Sequence, residues 1–132
     1  MNEYRRTNTT VSLIHYHFVF CPKYRRKIFL NAKIENRFKE LVLQICETIQ
    51  VHVLAIECDK DHTHLFLNAL PTYSPADLMA KIKMETSRTL RLEFKELSHG
   101  TSLWTRSYFV STAGSVSSET IKRYIDSQKK RS

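Results

Sequence analysis

The stretch from Ile34 to Ile49 constrains this chain more than any other. Its apolar positions, Ile34, Phe38, Leu41, Val42, Ile45, Cys46 and Ile49, recur at i, i+4, i+7 and i+8, the period of a helix with one buried stripe. Such a stripe must lie against something, and both of its flanks are extended. Before it, "VSLIHYHFVFCPKYRRK" alternates, with Leu13, His15, His17 and Val19 on one side and Ile14, Tyr16, Phe18 and Phe20 on the other, until Pro22 ends the run. After it, "VHVLAIE" and "HTHLFLNAL" are two extended runs joined by "CDKD", a hairpin with a polar turn.

"YSPADLMAKIKMETSRTLRLEF" then opens as a helix should, with Ser74 as N-cap, Pro75 at the first helical position and Asp77 in the first turn. Leu78, Ile82, Leu90 and Phe94 form its stripe. "SLWTRSYFVST" is aromatic and β-branched enough for a fourth strand, "AGSVSS" is a turn, and "SETIKRYIDSQKK" closes as a short helix. The first six elements are those of an α+β, ferredoxin-like split βαβ sandwich with an antiparallel sheet, to which the last helix is added. At 132 residues the expectation is one domain, 1–132, with one core and one site.

Composition narrows the partners. Twenty-one Lys and Arg against thirteen Asp and Glu give +8, which favours a polyanion, although a merely solvated basic surface has the same balance. No apolar run approaches the roughly 18 residues of a membrane span, and "MNEYRRTNTT" lacks a signal-peptide core. No membrane partner is expected, and a cytoplasmic protein is. Cys21, Cys46 and Cys58 are odd in number, lack C-x-x-C spacing and sit in apolar patterns, so they read as buried thiols without chemistry.

The chemistry gathers at two places. In "KDHTHLFL", His62 and His64 lie two apart on a strand and therefore share a face, with Thr63, Leu65 and Leu67 on the other. That is half of a metal site, and taken alone the pair reads more readily as two polar residues of a half-exposed sheet. In the last helix, Tyr124 and Gln128 are four apart and share a face, with Ile121 and Ile125 available to anchor it. A tyrosine beside a metal is a nucleophile once its proton, with an ordinary pKa of about 10, is removed. Without the histidines it would read as an anchor. Basic residues cluster in "CPKYRRK", where Lys23, Arg25, Arg26 and Lys27 surround Tyr24, and on the second long helix, which carries Lys81, Lys83, Arg88, Arg91 and Lys95. Cations interleaved with an aromatic suit a single-stranded nucleic acid.

Five segments in order, "YHFVFCPKYRRKIF", "DKDHTHLFL", "TSRTLRLEF", "LWTRSYFVSTAG" and "TIKRYIDSQ", resemble the small single-tyrosine HUH transposases (TnpA type) of the bacterial and archaeal insertion-sequence two-hundred group. The resemblance implies nicking and rejoining of single-stranded DNA at hairpin-bearing element ends. It implies that His62, His64 and Gln128 bind Mg²⁺ or Mn²⁺ and that Tyr124 attacks the scissile phosphate to form a 5′-phosphotyrosine. It also implies a homodimer whose tyrosine helices complete each other's sites. Asp61 and Glu57, with Asp59, lie close enough in sequence to support the histidines from behind. Lys23, Tyr24, Arg25, Arg26, Lys27, Arg88 and Arg91 are the DNA-binding candidates, while His15 and His17 read as structural or DNA-facing.

Two positions depart from the family pattern: Thr63 stands where a bulky hydrophobe is usual, and Met84 where many relatives carry glycine. Neither removes a catalytic group. A non-catalytic nucleic-acid-binding module of RNA-recognition-like fold is the alternative, with a metal-binding regulatory domain behind it.

Overall fold

The computed structural model describes residues 4–112. Within them the chain forms β1 (Arg5–Arg6), β2 (Val11–Ser12), β3 (Ile14–Phe20), α1 (Ala32–Thr48), β4 (His52–Asp59), β5 (His62–Ala69), α2 (Pro75–Glu93) and β6 (Phe109–Ser111). The main sheet has the order β4-β5-β3-β6 and every pairing in it is antiparallel, which is the expected ferredoxin-like arrangement.

Both helices begin where the local chemistry directs. Asn31 caps α1 by accepting from the Lys33 N–H, and Ser74 and Asp77 close a reciprocal capping box at the start of α2, with Pro75 at its first position. The stripes pack on one face of the sheet. Ile34, Phe38, Leu41, Val42, Ile45 and Cys46 of α1, and Leu78, Met79, Ile82 and Leu90 of α2, share a core with Phe18, Phe20, Leu65 and Leu67. Phe94 is the C-cap of α2 and packs against that core half-buried.

The fourth strand is shorter than the sequence suggests. Of "SLWTRSYFVST" only Phe109–Ser111 pairs continuously, and Trp104 makes a single bridge to Pro22. The cause is packing. Trp104 is buried edge-on against Phe20, ring centroids 4.8 Å apart, and its indole N–H donates to Thr86 Oγ1 at 3.0 Å. Just beyond it, Lys83 Nζ donates to the carbonyls of Thr105 (2.6 Å) and Ser107 (3.3 Å), so although the Thr105 N–H still donates to the Cys21 carbonyl at 3.0 Å, these two carbonyls are bonded to a side chain. The hairpin is also tighter than "CDKD" implied, because Cys58 and Asp59 pair with Thr63 and His62 and leave only Lys60 and Asp61 in the turn.

A two-residue ladder, β1 with β2, lies outside the sequence reading. Thr7 and Thr10 close its turn through their hydroxyls at 2.7 Å and a backbone bond at 2.9 Å. Arg5 ties it down by donating to Asn68 and Gln50. The expected terminal helix, with Tyr124 and Gln128, lies outside the described residues.

Candidate metal centre

Directly opposed residues of an antiparallel pair share a face, so register decides which side chains meet. Val19 opposes His64, His17 opposes Phe66 and His15 opposes Asn68, while on the other flank Glu57 opposes His64 and Asp59 opposes His62. All of these therefore line the face away from α1 and α2. His62 and His64 are brought together as the sequence predicts, ring centroids 5.2 Å apart. Thr63 turns inward, fully buried, donates to the Glu57 carbonyl at 3.2 Å and touches Cys58 Sγ at 3.4 Å. The unusual middle residue thus keeps the strand geometry and leaves the imidazole face alone.

Each imidazole uses Nδ1 inside the protein. His62 Nδ1 lies 3.0 Å from Asp61 Oδ1, and an ionised carboxylate only accepts, so the nitrogen carries the proton. In the neutral ring Nε2 then presents a lone pair, as a metal ligand requires. Asp61 is in turn gripped by Arg25, whose Nη2 and Nε lie 2.8 and 3.2 Å from Oδ2. Burial of Asp61 works to raise its pKa, but the bonds from His62 and Arg25 and the guanidinium charge outweigh it and hold the carboxyl below its usual range.

His64 has a partner the sequence reading left aside. His17 Nε2 lies 3.0 Å from His64 Nδ1, and the His17 ring is stacked on Phe66 at 4.2 Å. Burial, with repulsion from His62 and His17, pushes the His64 pKa down to about 4, and burial lowers that of His17 as well against the pull of Glu57. Both rings are neutral at pH 7, again the form a metal needs. Glu57 opposes His64 across the ladder and acts on it through its charge.

Among the described residues, no group of three or more His, Cys, Asp or Glu is placed to hold a metal ion. What is present fits a divalent ion as two imidazole ligands, each with Nδ1 engaged and with no partner for Nε2 among the described residues. Gln128, the expected third ligand, and Tyr124 lie outside them.

The basic candidates separate by structure. Arg25 is committed to Asp61. Arg91 donates to the carbonyls of Leu97, Ser98, Gly100 and Thr101 and so clamps the turn after α2, and Arg26 donates to the Glu96 carbonyl at 2.8 Å. Tyr24 is 70% exposed and stands with Arg25 in the left-handed region, φ 59° and 49°, with Lys23 and Lys27 close to it in sequence. Arg88 lines a cleft of about 590 Å³ with Lys83, Met84, Ser87 and Arg91. Lys83 itself is half-buried, and the loss of solvent pushes its pKa down to about 8, with Cys21 opposing. The three thiols are free, and burial raises Cys21 to about 11 and Cys46 to about 12, which leaves them unreactive. Among the described residues no helix is long and apolar enough to cross a membrane.

An antiparallel sheet of this order with two helices on one face, and an H-x-H pair opening a central strand on the other, gives a fold shared with solved transposases. The chain belongs to the IS200-like transposases, whose family model matches residues 10–128. It is 34% identical over 116 residues to the transposases for insertion sequence element IS200 of Salmonella typhimurium and Salmonella typhi, covering 86% of this chain and 75% of theirs. It is 26% identical over 129 residues to the ISDra2 transposase TnpA of Deinococcus radiodurans, covering 96% and 91%. A crystal structure of a Deinococcus radiodurans R1 protein superposes with a TM-score of 0.82 at 26% identity, over 94% of this chain and 97% of that one. A REP-associated tyrosine transposase, solved bound to a REP hairpin, shares the fold at a TM-score of 0.57 and 12% identity, over 96% and 69%.

Proposed function

We propose that this transposase nicks and rejoins single-stranded DNA at hairpin-bearing element ends through a 5′-phosphotyrosine at Tyr124. The observation that carries the reading is the pair His62 and His64, set on one face with both Nδ1 atoms engaged inside the protein. His62, His64 and Gln128 would hold Mg²⁺ or Mn²⁺, which when bound withdraws charge from a non-bridging phosphate oxygen.

The chain's own residues do the rest. Asp61, held by Arg25, fixes the tautomer of His62. The Tyr124 phenol gives up its proton, its oxygen attacks phosphorus, and the new O–P bond forms as the bond to the 3′ oxygen breaks. The departing oxygen takes a proton and leaves as a 3′-hydroxyl. Since one phosphodiester replaces another, that hydroxyl or a different one reverses the step without ATP. Tyr24, with Lys23 and Lys27, supplies an exposed ring beside cations for an unpaired base and its phosphates. A tyrosine transposase of the same fold has been solved bound to a REP hairpin, and a hairpin is the partner proposed for this chain. We further propose a cytoplasmic homodimer in which each Tyr124 serves the partner's histidines.

The test is incubation with labelled single-stranded DNA carrying a matching element end and Mn²⁺. A denaturation-resistant protein–DNA adduct is expected, lost in Tyr124→Phe and on chelation. An adduct that survives Tyr124→Phe would remove the proposed nucleophile, and mixing Tyr124→Phe with His64→Ala protein should restore activity only if sites are shared.

A further inference from the structure

Among the described residues, His17 is the one buried titratable group on the imidazole face that the reaction above does not use. It comes from β3, across the ladder from β5, and is 3% exposed between Phe66 and His64. Its Nε2 meets His64 Nδ1 at 3.0 Å, whereas its own Nδ1 is buried with no hydrogen-bond partner among the described residues.

Two neutral imidazoles carry two protons on four nitrogens, and only one of those protons can lie in the bond between His17 Nε2 and His64 Nδ1. If His17 donates from Nε2, His64 must carry its own proton on Nε2 and has no lone pair for a metal there. If His64 donates from Nδ1, its Nε2 is bare, and His17 moves its proton to the partnerless Nδ1. Only the second arrangement makes His64 a ligand. Packing alone does not account for the residue, because a phenylalanine would stack on Phe66 as well and would bring no orphaned nitrogen.

We propose that His17 is a positioning residue for the metal site, accepting the Nδ1 proton of His64 and so holding Nε2 open toward the ion. This rests on the metal-assisted reading above. It makes His17 for His64 what Asp61 is for His62, with a neutral acceptor in place of a carboxylate. The two ligands are thus braced from different elements, one by the β4–β5 turn with Arg25, the other from the neighbouring strand.

Mn²⁺ affinity, measured by calorimetry on the full chain without DNA, separates this from a packing role. His17→Phe keeps a ring but no acceptor, and His17→Gln returns an acceptor oxygen near the place of Nε2. Loss of tenfold or more in affinity for His17→Phe, with His17→Gln within about threefold of the parent, is the expected pattern on the scale such outer partners have. Parental affinity in His17→Phe, or an equal loss in both, would overturn the role.

Should His17→Phe fail to fold, ¹⁵N–¹H spectra of the parent loaded with Zn²⁺ decide. His64 should coordinate through Nε2 with a slowly exchanging proton on Nδ1, and coordination through Nδ1 would refute the proposal. Parental Mn²⁺ affinity in both His62→Ala and His64→Ala would instead defeat the metal reading itself, an outcome distinct from any failure of His17.

Discussion

Asp61→Ala is the substitution whose consequences the geometry states most fully. Asp61 accepts from His62 Nδ1 at 3.0 Å and from Arg25 Nη2 and Nε at 2.8 and 3.2 Å, with side-chain exposures of 6% for Asp61 and 17% for Arg25. Removing the carboxylate breaks the ion pair of a mostly buried guanidinium, and losing one partner of a buried pair costs about 3–5 kcal/mol. The partial exposure of Arg25 places the loss near the bottom of that range. A second effect opposes it: Tyr24 and Arg25 both occupy the left-handed region, at about 1–2 kcal/mol per residue, and a released Arg25 lets the loop relax and recover part of that. The net destabilisation expected is about 2–3 kcal/mol by urea unfolding. Mn²⁺ affinity should fall by about 10–100-fold, because His62 is no longer held with Nε2 open. Arg25→Gln separates the two roles, since it spares the bond from His62 to Asp61 and should lose stability with a smaller loss of affinity. Asp61→Ala with Mn²⁺ affinity within twofold of the parent would refute the reasoning.

Two further outcomes are expected. In chelator-treated protein the folded state resists protonation of His64, at about 4 against about 6.5 unfolded, so the unfolded chain binds the extra proton between those values and stability falls as pH drops through that window. His64→Gln should make this part of the pH–stability curve shallower, leaving the contribution of His17 in the same window and that of Asp61 at lower pH, and an unchanged slope would show that His64 does not titrate there. Trp104→Phe removes the indole donor to Thr86 and opens a gap beside Phe20 and Phe38, which should cost about 2 kcal/mol in urea unfolding. No measurable change would mean that Trp104 does not hold the segment before β6.

The local elements were legible because their causes are local. The stripe from Ile34 to Ile49, the Ser74–Asp77 box and the alternation through β3 each depend on neighbours a few residues along the chain, and each reappears at its predicted place. The shared face of His62 and His64 follows from the period of two. The strand around Trp104 failed as a prediction because β propensity cannot register that the indole is needed in the core, or that Lys83 takes the carbonyls on which a ladder would depend.

By itself the sequence determined the two-layer sandwich, the paired imidazoles and the basic charge through element order, short-range spacing and composition, and the family resemblance through five specific segments in order along the chain. Only the tertiary structure decided who stands behind each imidazole. His17 reaches His64 because the β3–β5 register sets Phe66 opposite His17 and Val19 opposite His64, a pairing between residues 47 apart that no local pattern announces. Arg25, one of several cations around Tyr24 in the sequence, becomes the clamp on Asp61 because two consecutive residues take left-handed backbone angles without a glycine to mark them.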